Sequence, residues 1–448
     1  MPAAAAGRAR APRVPVRGKG AKRRARASGA QPLEQRLLLT ATLCLLAFGA
    51  VMVYSASSAT SLLQGRGSGS GYLVRYLLYG SLGLVAMQVL ARNGVAMVRR
   101  LLTPLLVASF VLVLAVHVPH LGVSVNGARR WLGTGPLQFQ PSELMKLALL
   151  LYAATLLARR PARVQGLREL ANPLLVVVGG ACLLIATQPD LGTAMVIVCT
   201  IAALLVAAGI PPRKLALLAG VLLAVVLLYA LVRPYARARL TSFLNPWAHA
   251  SSSGFQAVQG QIAIGSGGLF GAGPGESVQK IFYLPEAPTD FILAVVAEEL
   301  GVIGVGALLF LYGMIAYAGL SAAKKARSAY SALIAVGVTS LILSQALLNI
   351  FAVLGMAPLT GVPLPFVSYG SSSLIVMLAA MGLLLNVAAG TSAKLRAVPA
   401  PRRRSVDVRA RETARWGRER SPEEDRDRRR RDRGARRAGA RGGRGAAR

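Results

Sequence analysis

The chain has 448 residues, is 54% hydrophobic, and carries a formal net charge of +35. Of its 52 Lys and Arg residues, 10 lie in residues 1–36 and 21 in residues 394–448, so most of the charge sits in two tails. This partition excludes a soluble globular protein and describes a polytopic membrane protein with basic ends.

The first 36 residues are basic and rich in Ala, Gly and Pro, a composition that cannot bury a core. They read as a disordered cytoplasmic tail. No cleavable signal peptide is evident, because the first apolar run begins only after this tail and is long enough to span a bilayer. Ten spans follow, at roughly 37–57, 73–91, 99–118, 142–158, 172–188, 191–209, 213–232, 290–318, 329–354 and 372–390. The expected fold is therefore an all-α polytopic membrane protein with ten transmembrane helices. Lys/Arg placement orients it. Arg92, Arg99, Arg100, Arg159, Arg160, Arg163, Arg168, Arg213, Lys214, Lys324, Lys325 and Arg327 fall in loops on the side of the tails, which puts both termini in the cytoplasm.

Two outer loops are long. Residues 119–141 form one, and residues 233–289 form the other, which is too long for a plain connection and so predicts folded substructure with a function. Residues 393–448 form a second basic, disordered tail. Polybasic segments beside spans bind anionic lipid headgroups. Nucleic acid is not expected as a partner, since the tails hold one aromatic, Trp416, and no folded module.

The acids are scarcer and less evenly spread. Between residues 37 and 396 there are eight, and five of them, Glu276, Glu286, Asp290, Glu298 and Glu299, lie within 276–299. The three cysteines sit in apolar runs with no CxxC or Cys/His pattern, which gives no metal or disulfide signature.

Charge at membrane depth marks a function or a close partner. Glu143 and Lys146 are three apart on one helix face, so they form either a structural ion pair or the floor of a polar cavity. Arg129, Arg130 and Trp131 lie in an outer loop against the charge bias. Two adjacent guanidiniums suit a phosphate, and an indole suits either the interface or a sugar face. Asp190 follows Pro189 and reads as a helix N-cap. Asp290, in "PTDFI", is read in two ways: as a cap, or as a carboxylate whose pKa is raised by low dielectric and by like charges, which suits a general base. Helical phase from Asp290 places Glu298 near the same cavity and Glu299 on the opposite side.

Six motifs in one order, "NGARRWLG", "QPSELMKLALL", "QPDLGTAMV", "QGQIAIGSGGLFGAGPG", "YLPEAPTDFILAVVAEELG" and "NIFAVLGMAPLTGVPLPFVSYGSSS", resemble the SEDS family (shape, elongation, division and sporulation; FtsW, RodA and SpoVE). The segment "GAGPGESVQKIFYLPEAPTDF" is similar to its FtsW branch rather than to RodA. The resemblance makes residues 37–392 one ten-helix domain. It implies a peptidoglycan glycosyltransferase of cell division, polymerising lipid II outside the cytoplasmic membrane at the septum with release of undecaprenyl diphosphate. Implied partners are the nascent glycan strand, a class B penicillin-binding protein of the FtsI type and other division proteins. The family's essential aspartate falls on Asp290. Arg129, Arg130, Lys146 and Lys280 are then candidates to meet the leaving pyrophosphate, with Trp131, Glu143, Glu298 and Ser368 as further substrate contacts. A divalent cation, Mg or Mn, is a candidate cofactor, although the sequence shows no dedicated cage. Two positions depart from the family pattern: Ser371 replaces a Gly, and Pro288 stands where His is common. The rival readings are a lipid II flippase and a division scaffold. A flippase needs a polar path, whereas the spans are nearly free of charge at mid-depth.

Overall fold

The computed structural model describes residues 31–65, 69–125, 128–133, 138–159, 171–232, 234–281 and 283–390. Most of the two basic tails lies outside these residues, as do Arg66, Arg160, Arg163, Arg168, Glu169 and Arg233.

The described helices are α1 (Leu33–Leu63), α2 (Gly71–Ala115), α3 (Pro141–Arg159), α4 (Val176–Ala186), α5 (Leu191–Ala207), α6 (Pro212–Val232), α7 (Pro234–Leu244), α8 (Phe255–Gly267), α9 (Ile292–Lys324), α10 (Ala329–Val353) and α11 (Ser371–Gly390). Six of them, α1, α2, α3, α9, α10 and α11, are long and apolar enough to cross a membrane. Two shorter apolar helices cover Pro173–Ala186 and Leu191–Ala207. One correction to an all-α reading is a β-hairpin in the 119–141 loop, with strands β1 (Gly122–Val125) and β2 (Ala128–Leu132) paired antiparallel.

Spans expected at 73–91 and 99–118 fall in one helix of 45 residues, α2. A straight helix of that length would extend about 67 Å, twice a bilayer core. Its contacts show that it turns back. The rings of Tyr72 and Tyr369 meet at 5.1 Å, and Ser372 Oγ accepts from the Gln140 N–H at 2.8 Å. Met145, just inside α3, receives the Ser109 hydroxyl at 3.3 Å. Tyr72 and Ser109 therefore lie at the same end of the bundle. Between them Gly94 packs on Asn386, near the far end of α11, and Arg99 lies 5.9 Å from the Tyr330 ring at the start of α10. The reversal therefore lies at the end marked by Gly94 and Arg99, and Pro104 falls in the returning half, where it removes a rung from the helical ladder.

The first half of α2 runs parallel to α11, with Gly83 against Leu378 and Gly382 against the Met87 backbone. A Cβ at Gly382 would lie 2.4 Å from the Met87 carbonyl, so the small residue sets the approach of the two helices. Buried apolar side chains of α3, α9, α10 and α11 form the centre of the bundle.

Helix α9 is broken at Gly301, which adopts φ 63° and ψ −160°. The broken ladder is made good by the loop after α8. Ala272 and Gly273 donate to the carbonyls of Glu298 and Glu299 at 2.8 and 3.1 Å, while Val302 and Ile303 donate to those of Gly268 and Leu269 at 3.1 and 3.3 Å. Non-helical backbone inside a membrane bundle persists only where such partners exist. Gly271, at φ 83°, has room only for hydrogen, since a Cβ would lie 2.1 Å from the Glu299 carbonyl. Gly271→Ala is expected to cost at least about 1–3 kcal/mol from its backbone strain alone. Thermal unfolding in detergent checks this, and an unchanged melting temperature would rule out the clasp.

The 233–289 loop carries the predicted substructure, namely α7, a 3₁₀ turn at Trp247–His249, and α8. It leads to the acid-rich turn before α9.

Candidate active site

Asp290 sits in that turn and is half-buried. It does not cap α9. The N-cap position belongs to Phe291, and no side chain caps the helix. The capping explanation for this aspartate therefore falls, whereas Asp190 does cap α5, accepting from the Thr193 N–H at 3.3 Å.

Neighbouring segments fix the turn. The Pro288 carbonyl accepts from the Tyr369 N–H at 2.9 Å. Asn349 Nδ2, from α10, donates to the carbonyls of Asp290 at 2.7 Å and Val362 at 2.8 Å. Phe291 is buried against Gly260 of α8, where an added Cβ would approach its ring to 2.8 Å. Gly361, at φ 68°, faces the carboxylate: a Cβ there would lie 3.7 Å from Asp290 Oδ2. The Thr289 hydroxyl lies 3.1 Å from Asp290 Oδ1, 3.0 Å from Glu286 Oε2 and 2.9 Å from the Glu286 carbonyl. One proton thus serves three acceptors, and Asp290 is poorly solvated by its neighbours.

Burial raises the Asp290 pKa, and the nearby Glu286 carboxylate raises it further. Its backbone and Thr289 hydrogen bonds and the Arg239 guanidinium pull the other way, and the balance is a carboxyl pushed up to about 6. Arg239 belongs to α7 and donates to the Leu359 carbonyl. It also lines a cleft of ≈ 220 Å³ with Ser242, Ser253, Gln256, Gln261 and Gly355, between α7, α8 and the end of α10. Sequence reasoning did not single out Arg239. The available signal was an arginine in an outer loop against the charge bias, the same signal that marked Arg129 and Arg130.

The other candidates divide into separate groups. Glu143 and Lys146 pair at 2.9 Å, both buried. Lys146 also donates to Gln345 Oε1 at 2.6 Å, and Gln345 Nε2 donates to the Pro363 carbonyl and Ser373 Oγ. Arg130 occupies a bulge of β2, since Trp131 pairs with Val123 and Arg129 with Ser124. The bulge aims Arg130 at the α4–α5 connection, where it donates to the Gln188 and Pro189 carbonyls and lies 3.8 Å from Asp190. Arg129 is exposed and Trp131 half-buried. The two guanidiniums thus have different surroundings.

Glu298 and Lys280 are engaged elsewhere than at Asp290. Glu298 accepts from the Ser277 hydroxyl and from the N–H groups of Val278 at 2.9 Å and Gln279 at 3.3 Å. Lys280 contacts Glu299 at 2.7 Å, the Gly275 carbonyl at 2.7 Å and Ser55 at 3.1 Å. Phase counted from Asp290 does not carry to Glu298, because the helix begins only at Ile292. Ser368 Oγ is buried and accepts from the Leu364 N–H at 2.8 Å. Ser371, at the first position of α11, donates to the Gln138 carbonyl at 3.2 Å, so this departure from the family pattern finds a use. Among the described residues no group of three or more His, Cys, Asp or Glu side chains is placed to hold a metal ion.

The fold and the site define a multi-pass membrane protein with a half-buried carboxylate in the turn before α9. Residues 35–393 match the model of the FtsW/RodA/SpoVE cell cycle protein family, and the chain belongs to that family. It is 41% identical over 351 residues to Stage V sporulation protein E of Bacillus subtilis, covering 78% of this chain and 96% of that protein. It is 42% identical over 356 residues to a protein of Coxiella burnetii named "Probable peptidoglycan glycosyltransferase FtsW", covering 78% and 95%. Among solved structures, a chain from work on the structural coordination of polymerization and crosslinking by a peptidoglycan synthase complex superposes with a TM-score of 0.64 at 32% identity, over 78% of this chain and 96% of that one. The rod shape determining protein RodA of Thermus thermophilus superposes with a TM-score of 0.57 at 32% identity, over 78% and 95%.

Proposed function

We propose that the chain is a peptidoglycan glycosyltransferase that polymerises lipid II, with Asp290 as its general base. The observation that carries this reading is a carboxylate that caps nothing, is held at its backbone carbonyl by Asn349, and has its pKa raised to about 6 by burial and Glu286. In the reaction an acceptor sugar hydroxyl gives its proton to Asp290 as its oxygen bonds to the donor's anomeric carbon. The bond from that carbon to the diphosphate breaks, and undecaprenyl diphosphate leaves with the electron pair. The exposed Arg129 supports the developing charge on the leaving group. Lys146 and Lys280 are already matched by buried carboxylates and act on the scaffold.

The orientation follows from the Lys/Arg bias, which sets the Asp290 end outside and both termini in the cytoplasm. The ten-span reading counts the two halves of α2 separately together with α1, α3, α4, α5, α6, α9, α10 and α11. The similarity to a chain of a peptidoglycan synthase complex supports a transpeptidase partner of the class B penicillin-binding type. The FtsW relatives support a role at the division septum.

Reconstitution in proteoliposomes with labelled lipid II tests the activity. Glycan polymer, released as ladders by gel electrophoresis, is the expected product. Labelled lipid II crossing the bilayer with no polymer formed would overturn the reading in favour of a flippase.

A further inference from the structure

Two amide side chains on one face of α10 hold the backbone around Asp290. Gln345 and Asn349 are four residues apart, one turn along the helix. Both are buried, at 0% and 2% exposure. Gln345 Nε2 donates to the Pro363 carbonyl at 2.9 Å, and Asn349 Nδ2 to the adjacent Val362 carbonyl at 2.8 Å. The segment before Pro363 is thus pinned by two successive amides.

Asn349 does more than Gln345 here, because the same Nδ2 also reaches the Asp290 carbonyl at 2.7 Å. Both its protons are used, one on each side of the site, while its Oδ1 is buried without a hydrogen-bond partner. Burying an amide with one unmet acceptor is costly where an aliphatic side chain would fit. What the amide accomplishes is geometric. A single NH2 group fixes the distance between the carbonyl of Asp290 and the loop whose Gly361 faces the Asp290 carboxylate. The local bonds do not span this gap: within its own turn the Asp290 carboxylate meets its own backbone N–H and the Thr289 hydroxyl, which three acceptors share.

We infer that Asn349 is the positioning residue of the Asp290 site, holding the Asp290 backbone against the Gly361 loop and so aiming the carboxylate at the acceptor hydroxyl. This rests on the reading of Asp290 as the base. The charged groups that face Asp290 are Glu286 from its own turn and Arg239 from α7. Helix α10 and residues 359–366 contribute no charged side chain.

The test measures lipid II polymerisation by the full-length protein in proteoliposomes, for wild type, Asn349→Ala, Asn349→Asp, Asp290→Ala and the double variant Asp290→Ala/Asn349→Ala. Asn349→Ala is expected to lower kcat about 10- to 100-fold with KM unchanged, the effect of misplacing a catalytic group by about 1 Å. Asn349→Asp keeps the volume, removes the donor and adds a carboxylate, so it is expected to move the acidic limb of the kcat–pH profile upward. The double variant is expected to be no slower than Asp290→Ala, since Asn349 acts through that residue. A wild-type kcat for Asn349→Ala overturns the inference, as does a double variant in which the two losses multiply. If Asn349→Ala does not fold, an unmoved acidic limb in Asn349→Asp overturns it alone. Full activity of Asp290→Ala removes the base itself, a failure seen independently of either Asn349 variant.

Discussion

Asp290→Asn is expected to slow lipid II polymerisation by roughly 10²- to 10⁴-fold, the contribution of a positioned base, while making the protein more stable at neutral pH. The two effects share one cause. The ordinary value for this carboxyl is 3.8, and burial with the Glu286 charge raises it to about 6 in the folded protein. A folded state that raises an acid's pKa prefers its protonated form. The stability linked to Asp290 is therefore fully present below 3.8, falls as pH rises toward about 6, and stays low above it. The deficit at neutral pH is on the order of 2–3 kcal/mol. Asparagine cannot ionise, so it escapes this cost and still accepts from Thr289. Melting temperatures of both proteins at neutral and acidic pH check the sign: the variant's advantage should shrink as the wild-type carboxyl protonates. Activity titrates in the opposite sense. A base works only when ionised, so the wild-type rate should rise as pH passes through about 6. A variant as fast as wild type, or a rate with no acidic limb near that pH, would sink the assignment.

The spans were legible because a bilayer demands long apolar runs, and α1, α3, α9, α10 and α11 meet that demand by length and composition alone. Their irregularities were not, because distant residues decide them. The turn before α9 reads as a cap in "PTD", but the Asp290 carbonyl is taken by Asn349, 59 residues on, and the helix starts later. Gly301 inside "EELGVIG" is locally tolerable in a helix, costing about 1 kcal/mol. The break there depends on the backbone of Gly268 to Gly273, a loop that no periodicity of α9 reveals. In α2 the arginines at 92, 99 and 100 read as a loop between two spans, yet the chain keeps helical pairing through them. Site chemistry was readable one residue at a time. The isolated acids stood out, as did the Glu143–Lys146 spacing, which the structure realises as a buried pair. What the sequence left open was which cation each acid meets, since Lys280 and Glu299 are 19 residues apart and no helical spacing joins them.

That pair gives the second large effect. Lys280→Met is expected to destabilise the fold by about 3–5 kcal/mol, the cost of leaving a buried ion without its partner. Glu299 is 1% exposed, and once Lys280 is gone the Ser55 hydroxyl, at 2.6 and 2.8 Å, is what remains on its carboxylate among the described residues. Lys280 also holds the Gly275 carbonyl, so its loss loosens the loop whose preceding residues repair α9 at Gly301. The effect should therefore reach beyond the ion pair, to the backbone groups of Glu298, Glu299, Val302 and Ile303. Removing both charges as Lys280→Met/Glu299→Leu should restore most of the stability, because two apolar groups in place of a buried pair are close to neutral. Thermal unfolding of the two variants in detergent measures this directly. The alternative role, a cation for the leaving pyrophosphate, predicts a different pattern: a lower kcat or higher KM for lipid II with the melting temperature unmoved. The double variant would then be no better than the single one. Three contacts on one ammonium, each to a group that also shapes the loop, favour the structural outcome.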